Sequence, residues 1–182
     1  MFNVNISREI FNLLMNGKLI NKSILNNSGE FIDNYLFTEI INNLDDYRTQ
    51  YRMSGYNLIE RPNFFYIRDY HQQDGDLKTD ITMKVCVLLL IMGKYLIEHN
   101  YRLTRLTDPT GGLSESDFEA MQDMPNTQEI LGKSKIVDLK MAIKSILVDK
   151  NILLQKPSSL DYILSDGGKA FFHEILLDYQ NV

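Results

Sequence analysis

The sequence predicts a mainly α-helical chain with small β-hairpins, an α+β fold arranged as tandem winged-helix domains. Two observations lead there. A helical stretch with apolar residues near a 3.6-residue spacing is followed by strand-type residues broken at a turn, and the same order returns in the second half. Between the halves, Asp69 to Lys78 holds no apolar residue between Tyr70 and Leu77, which is linker composition. At 182 residues the chain is long enough for two modules of about 80–100 residues each. We divide it into an N-terminal winged-helix domain over 1–70, a linker over 71–78 and a C-terminal winged-helix domain over 79–182.

Taken in order, Ile6 to Met15 reads as a helix capped by Ser7 and ended by Gly17, with Ile10, Phe11 and Leu14 on one side. Lys18 to Ile20 is a short extended piece, and Ser23 to Leu25 opens another helical turn. A long helix is expected from Glu30 to Met53 on Phe31, Tyr35, Ile40, Leu44, Tyr47 and Tyr51, with Gly55 just beyond its end. Tyr56 to Arg68 forms a hairpin turned at Arg61-Pro62-Asn63. After the linker, Ile81 to Glu98 is apolar nearly all round, which predicts a buried helix. Asn100 to Ser134 is weakly patterned; Asp108 to Gly112 makes a flexible turn, Ser114 begins a short helix and Met124-Pro125-Asn126 breaks it. Lys135 to Lys150 is amphipathic, with Ile136, Leu139, Ile143, Ile146 and Leu147 inward. Ile152 to Leu154 and Tyr162 to Leu164 form a second hairpin, and Ser165 caps the last helix, where Gly167-Gly168 reads as a relaxed first turn.

Composition narrows the function. The chain is 44% hydrophobic with 10 Tyr and 9 Phe, so it builds a packed core. Its formal charge of −5 disfavours autonomous nucleic-acid binding, which wants a basic surface. The single cysteine, Cys86, lies in an apolar run, which excludes an internal disulfide and fits a reducing cytoplasm. That run spans eight residues, far short of the roughly 20 a membrane helix needs, and the N-terminal residues lack a signal-peptide pattern. No catalytic, metal or cofactor site is expected. His71, His99 and His173 are far apart in sequence, Cys86 has no evident base, and Gly111-Gly112 lacks the strand and Lys-Ser/Thr of a phosphate loop.

The block Tyr56-Asn57-Leu58-Ile59-Glu60-Arg61-Pro62-Asn63-Phe64-Phe65-Tyr66-Ile67-Arg68 resembles the first wing of the MukE family. Asn16-Gly17-Lys18-Leu19-Ile20 is similar to that family's junction after its first helix. Ile152 to Leu154 and Tyr162-Ile163-Leu164-Ser165-Asp166 are similar to its second wing and closing helix. The length also suits compact relatives of the MksE type and plasmid-defence subunits. The resemblance implies a non-enzymatic, dimeric subunit of an SMC-type condensin-like complex. Such a subunit binds the kleisin (MukF- or MksF-like), reaches the SMC ATPase indirectly, touches DNA weakly and sits in the cytoplasm at the nucleoid. It would serve chromosome organisation and segregation, or plasmid exclusion.

Candidate contact residues follow. Phe64, Phe65 and Tyr66 are consecutive, so alternation puts at least one ring on each face of the hairpin, and one of those faces needs a partner or a second layer. Extended peptides bind by strand addition and apolar pockets, which makes Phe64, Tyr66 and Arg68 on the first wing and Tyr162 on the second the candidate kleisin contacts; the alternative is that these rings are core, the commoner role of consecutive aromatics on a hairpin. For DNA, Glu30 to Arg52 carries −3 and Lys133 to Lys150 carries +3, so Lys133, Lys135, Lys140 and Lys144 are the candidates. Relatives carry an arginine-rich end to this helix where this chain has Val148-Asp149-Lys150, which disfavours strong DNA contact by it and favours a solvated amphipathic helix as the alternative. The rival reading is a free-standing dimeric winged-helix transcription regulator, which would need a basic, base-reading helix.

Overall fold

The structure, a computed structural model, describes residues 3–71 and 80–180. Nearly all of the expected linker lies outside them. Helix α1 (Val4–Met15) is capped by Asn3, whose side-chain oxygen accepts from the Asn5 and Ile6 amides at 3.1 and 3.2 Å. Ser7, the expected cap, is instead buried inside the helix, because Asn3 caps equally well and the helix extends back to it. Gly17 ends α1 at φ +68: Lys18 donates to the Leu13 carbonyl and Gly17 to that of Leu14. These two bonds satisfy carbonyls the helix cannot.

The chain turns into β1 (Ile20–Asn21). Ser23 to Leu25 does not start a helix. It forms β2 (Ser23–Leu25), antiparallel to β3 (Phe31–Asp33) around an Asn26 turn whose side-chain oxygen accepts from the Ser28 and Glu30 amides. The long helix expected from Glu30 therefore starts later and divides into α2 (Tyr35–Asn42) and α3 (Leu44–Met53). Asn34 caps α2, and Asn43, at φ −132, marks the break. Apolar spacing runs straight through that break. The asparagines make it, since their side chains compete for backbone partners. As expected, β4 (Tyr56–Arg61) and β5 (Phe64–Asp69) pair around Pro62-Asn63, and β1 adds to the far side of β5 to give the order β1-β5-β4.

The second half begins with α4 (Asp80–Glu98). It is not buried all round: Leu88, Leu89, Met92 and Leu96 are inside, while Met83, Leu90 and Ile97 are exposed. A 3-10 turn (Leu103–Leu106) leads to α5 (Glu115–Gln122), opened by a reciprocal cap between Ser114 and Asp117. Helix α6 (Thr127–Lys133) was not expected; it starts beyond Pro125, after Asn126 in the left-handed region. The helix expected from Lys135 starts only at α7 (Leu139–Ala142), since Lys135 itself has φ +55 and Asp138 supplies the cap. It continues as a π-helical stretch, Ile143–Val148. Strands β6 (Leu153–Gln155) and β7 (Tyr162–Leu164) make the second hairpin, and Ser165 caps α8 (Asp166–Gln180) by accepting from the Gly168 amide at 3.0 Å. Leu113 bridges to Tyr162 on the free side of β7, as β1 does to β5.

Two apolar clusters result. One is built from α1, α2, α3, β4 and β5; the other from α4 through α8, with Leu19 and Phe64 added from the first half. Strand β5 serves both, as its alternation demands. Phe65 packs on Phe37 with centroids 5.0 Å apart, while Phe64 meets Phe171 edge-on at 5.6 Å. A polar seam borders these rings. Asn21, almost fully buried, donates to the Asn151 carbonyl and accepts from the Gly167 amide, both at 2.9 Å. Asn151 donates to the Leu19 carbonyl, Leu19 to that of Lys150, and the Ser23 amide reaches Asp166 at 2.8 Å.

The Gly167-Gly168 pair is no relaxed turn. A Cβ on Gly167 would lie 2.4 Å from Leu19 Cδ1, and one on Gly168 would lie 2.2 Å from the Ile152 carbonyl oxygen. Alanine at either position should destabilise the protein by about 1–3 kcal/mol through overpacking. Gly132→Ala, in open space within α6, should instead stabilise it by about 0.5–1 kcal/mol. Thermal melts of the three variants check this; a Gly167→Ala variant as stable as wild type would mean the seam is loosely packed.

Candidate partner and nucleic-acid surfaces

The four residues expected to contact a partner do not form one surface. Phe64 is 3% exposed and Tyr162 2% exposed, and both rings are core. The face of β5 that called for a second layer receives it from within the chain, from α8. Tyr66 stacks beside Phe64 at 6.0 Å and is half-buried, as is Arg68, which stands opposite Asn57 in the hairpin. Tyr162 packs on Phe118 at 5.1 Å, and its hydroxyl accepts from Gln155 at 3.0 Å. Tyr66 and Arg68 thus keep accessible atoms, while Phe64 and Tyr162 support the hairpins from beneath.

The four lysines also separate. Lys133 lies on α6 and pairs with Glu129 one turn earlier at 2.6 Å. Exposed Lys135 sits in the turn before α7, with no carboxylate in ion-pair range among the described residues. Lys140 and Lys144 share one face of the helical stretch, but Glu115 at the start of α5 faces them. Its two oxygens lie 2.7 Å from Lys140 and 2.7 Å from Lys144, and Glu119 adds a contact to Lys140 at 3.4 Å. The lysine hydrogen bonds pull the Glu115 carboxyl down to about 2, and both lysines are held above their usual range by the same carboxylate. Because the Glu115 pKa is lowered on folding, the cluster holds through the ordinary carboxylate range and comes apart as the pH falls from about 4.5 toward 2. At neutral pH most of the basic patch is internally compensated.

Sequence reasoning missed Glu115 as the controlling residue, although it directly follows Ser114, which the sequence marks as a helix start. Asp117 in the same turn accepts from Tyr95 at 2.6 Å, from the Ser114 amide at 2.7 Å and from Arg105 at 3.1 Å. Burial alone would raise its pKa; these contacts outweigh burial and hold it below the usual range. Burial, with the bond to Asp117, pushes the Tyr95 hydroxyl up to about 12. Arg105 also bonds the Gly112 carbonyl at 2.9 Å and lies 4.3 Å above the Tyr101 ring. Gly111-Gly112 is therefore clamped, with Lys156 bonding the Gly111 carbonyl from the other side. This is structural chemistry. His99 stacks in the same group, its ring 4.3 Å from that of Tyr95, and among the described residues no cluster of His, Cys, Asp and Glu could hold a metal.

Removing Glu115 should unmask the patch. Glu115→Gln should raise affinity for non-specific duplex DNA and steepen its salt dependence, with a log–log slope larger by about one to two, as Lys144 freed outright and Lys140 freed in part, still beside Glu119, would give. Fluorescence anisotropy across a salt series checks this. An unchanged slope would mean that Lys140 and Lys144 do not face DNA.

No helix among the described residues is long and apolar enough to cross a membrane. Comparison with curated proteins finds no significant match. The sequence does match the family described as condensin complex protein MksE over residues 5–176, which takes in both hairpins, the seam between them and most of the closing helix. The chain belongs to the MksE family, a subunit family of condensin complexes.

Proposed function

We propose that this chain is a non-enzymatic subunit of an SMC condensin-like complex. In this reading it binds the kleisin as a dimer, meets the ATPase through it, and helps organise or segregate chromosomal DNA, or exclude plasmids, at the nucleoid. The family membership over residues 5–176 carries the reading. The architecture supports it. Each half runs from a helix through a short extended segment to further helices and a hairpin, and in each the early segment pairs with the last strand. That order favours two winged-helix modules, residues 1–70 and 79–182 joined through 71–78, with α3 and the α7–π stretch in the position that reads DNA in regulators.

Neither stretch is equipped to read bases. Helix α3 opens with Asp45 and Asp46, and the lysines of the second are held by Glu115 and Glu119. This favours protein contact over operator binding, with DNA touched weakly inside the complex. Among the described residues, strands β4 and β6 each pair on one side only, which leaves edges suited to an extended partner segment, and Tyr66 and Arg68 lie on the strand beside β4.

Co-expression with a kleisin subunit should give a complex that co-elutes through size exclusion, with light scattering reporting two copies of this chain. The chain alone should hydrolyse no ATP. Separate elution of the two proteins would contradict the reading, as would turnover that tracks with the purified chain.

A further inference from the structure

Two exposed rings stand together where α4 ends. We propose that His99 and Tyr101, with Arg102 beside them, form a stacking site for the unpaired bases of a single nucleic-acid strand. The site is built from the end of α4 and the 3-10 turn after it, elements that carry neither the lysine patch nor the hairpins. It needs neither the kleisin reading nor duplex DNA.

The backbone builds the pair. Asn100, at φ +57, closes α4: its amide donates to the Ile97 carbonyl, and the Tyr101 amide donates to that of Leu96. Two such bonds across a left-handed residue reverse the chain at a helix end, and the reversal returns Tyr101 to the turn it has just left. Its ring lies 6.2 Å from that of His99, with the two planes within 10° of parallel. Both rings are braced. That of His99 sits 4.3 Å from the ring of buried Tyr95, and its Nδ1 lies 3.0 Å from the Tyr95 carbonyl oxygen. Arg105, fixed by Asp117 and the Gly112 carbonyl, covers one face of Tyr101 at 4.3 Å. Rings held this way lose little freedom when a ligand arrives, which preserves affinity.

Despite that support, Tyr101 is 45% exposed, and His99 is exposed too. Successive bases of a strand present parallel faces that suit two nearly parallel rings, and stacking tolerates any base because every base has a π-face. Arg102 supplies the charge. It is exposed and, among the described residues, has no carboxylate in ion-pair range, so it is available to a phosphate. The nearby acids are engaged. Glu98 pairs with Lys94 at 3.6 Å, Asp108 takes the Thr110 amide and hydroxyl, and Asp117 is spent inside the cluster. An apolar protein anchor fits less well. Ile97 is exposed, but it stands two residues from both Tyr95 and His99 and so points away from their rings. Stacking supplies the contact that a net charge of −5 denies to broad electrostatic attraction.

Fluorescence anisotropy of the full chain with labelled oligothymidylate, oligouridylate and a duplex of equal length tests this. The wild-type chain should bind single strands more tightly than the duplex, and the tighter of the two single strands names DNA or RNA as the source. Tyr101→Ala should weaken single-strand binding about fivefold or more, while Tyr101→Phe, which keeps the ring, should bind as wild type does. Arg102→Gln should weaken it and lower the log–log salt slope by about 0.7. Thermal melts verify folding, and the surface change Arg102→Gln decides the matter if Tyr101→Ala melts early. Wild-type chain that binds no single strand, or binds the duplex as tightly, would overturn the site. So would a folded Tyr101→Ala variant of wild-type affinity, or Arg102→Gln with affinity and slope unchanged.

Discussion

The carboxamide of Asn21 is the point on which the arrangement of the two halves depends. It lies between the β1-β5-β4 sheet and the second half, donating to Asn151 and accepting from Gly167, while its own backbone carbonyl takes the Asn34 side chain. A buried donor or acceptor left without a partner costs about 1–3 kcal/mol. Docking the halves in any other register would bury several such groups unpaired at once, together with the Leu19 and Ser23 amides. The glycine at 167 is what allows this approach, because any side chain there would occupy the space of Leu19. Polar matching therefore fixes the orientation of the halves, and apolar burial of Leu19 and Phe64 in the second core supplies the bulk of the attraction.

Docking the halves changes what the aromatic strand can do. Phe64, Phe65 and Tyr66 look like a binding surface so long as the first module is considered alone. In the assembled chain Phe65 closes the first core and Phe64 enters the second, so the rings most apt to grip a partner are spent on intramolecular packing. What remains for partners is at the margins: free strand edges and the partly covered Tyr66 and Arg68. The basic patch follows a similar logic. Its lysines are numerous enough to suggest DNA, but carboxylates from α5 and α6 satisfy three of the four. A subunit built this way is suited to holding proteins together, with its electrostatics muted.

Features resting on local chemistry were legible in the sequence. The Pro62-Asn63 hairpin, the Gly17 stop, and the Ser114 and Ser165 caps each depend on residues within a few positions of one another. Features resting on competition between signals were misread. Apolar periodicity continued through Asn43 and hid a helix break, and it extended back over Phe31 and Ile32, which pair with β2 instead. Lys135 looked like the first turn of a helix until its left-handed backbone placed that start at Leu139. The candidate sites were least legible, because burial of Phe64 and neutralisation of Lys140 and Lys144 come from residues dozens of positions away.

Native-state hydrogen exchange on Asn21→Ala tests the claim that the seam joins the halves as one body. The account predicts faster exchange of the Leu19 amide in the first half and of the Gly167 amide and its neighbours in the second, since one carboxamide supports both sides. Faster exchange confined to the first half, with residues 150–168 as protected as in the wild-type chain, would contradict it.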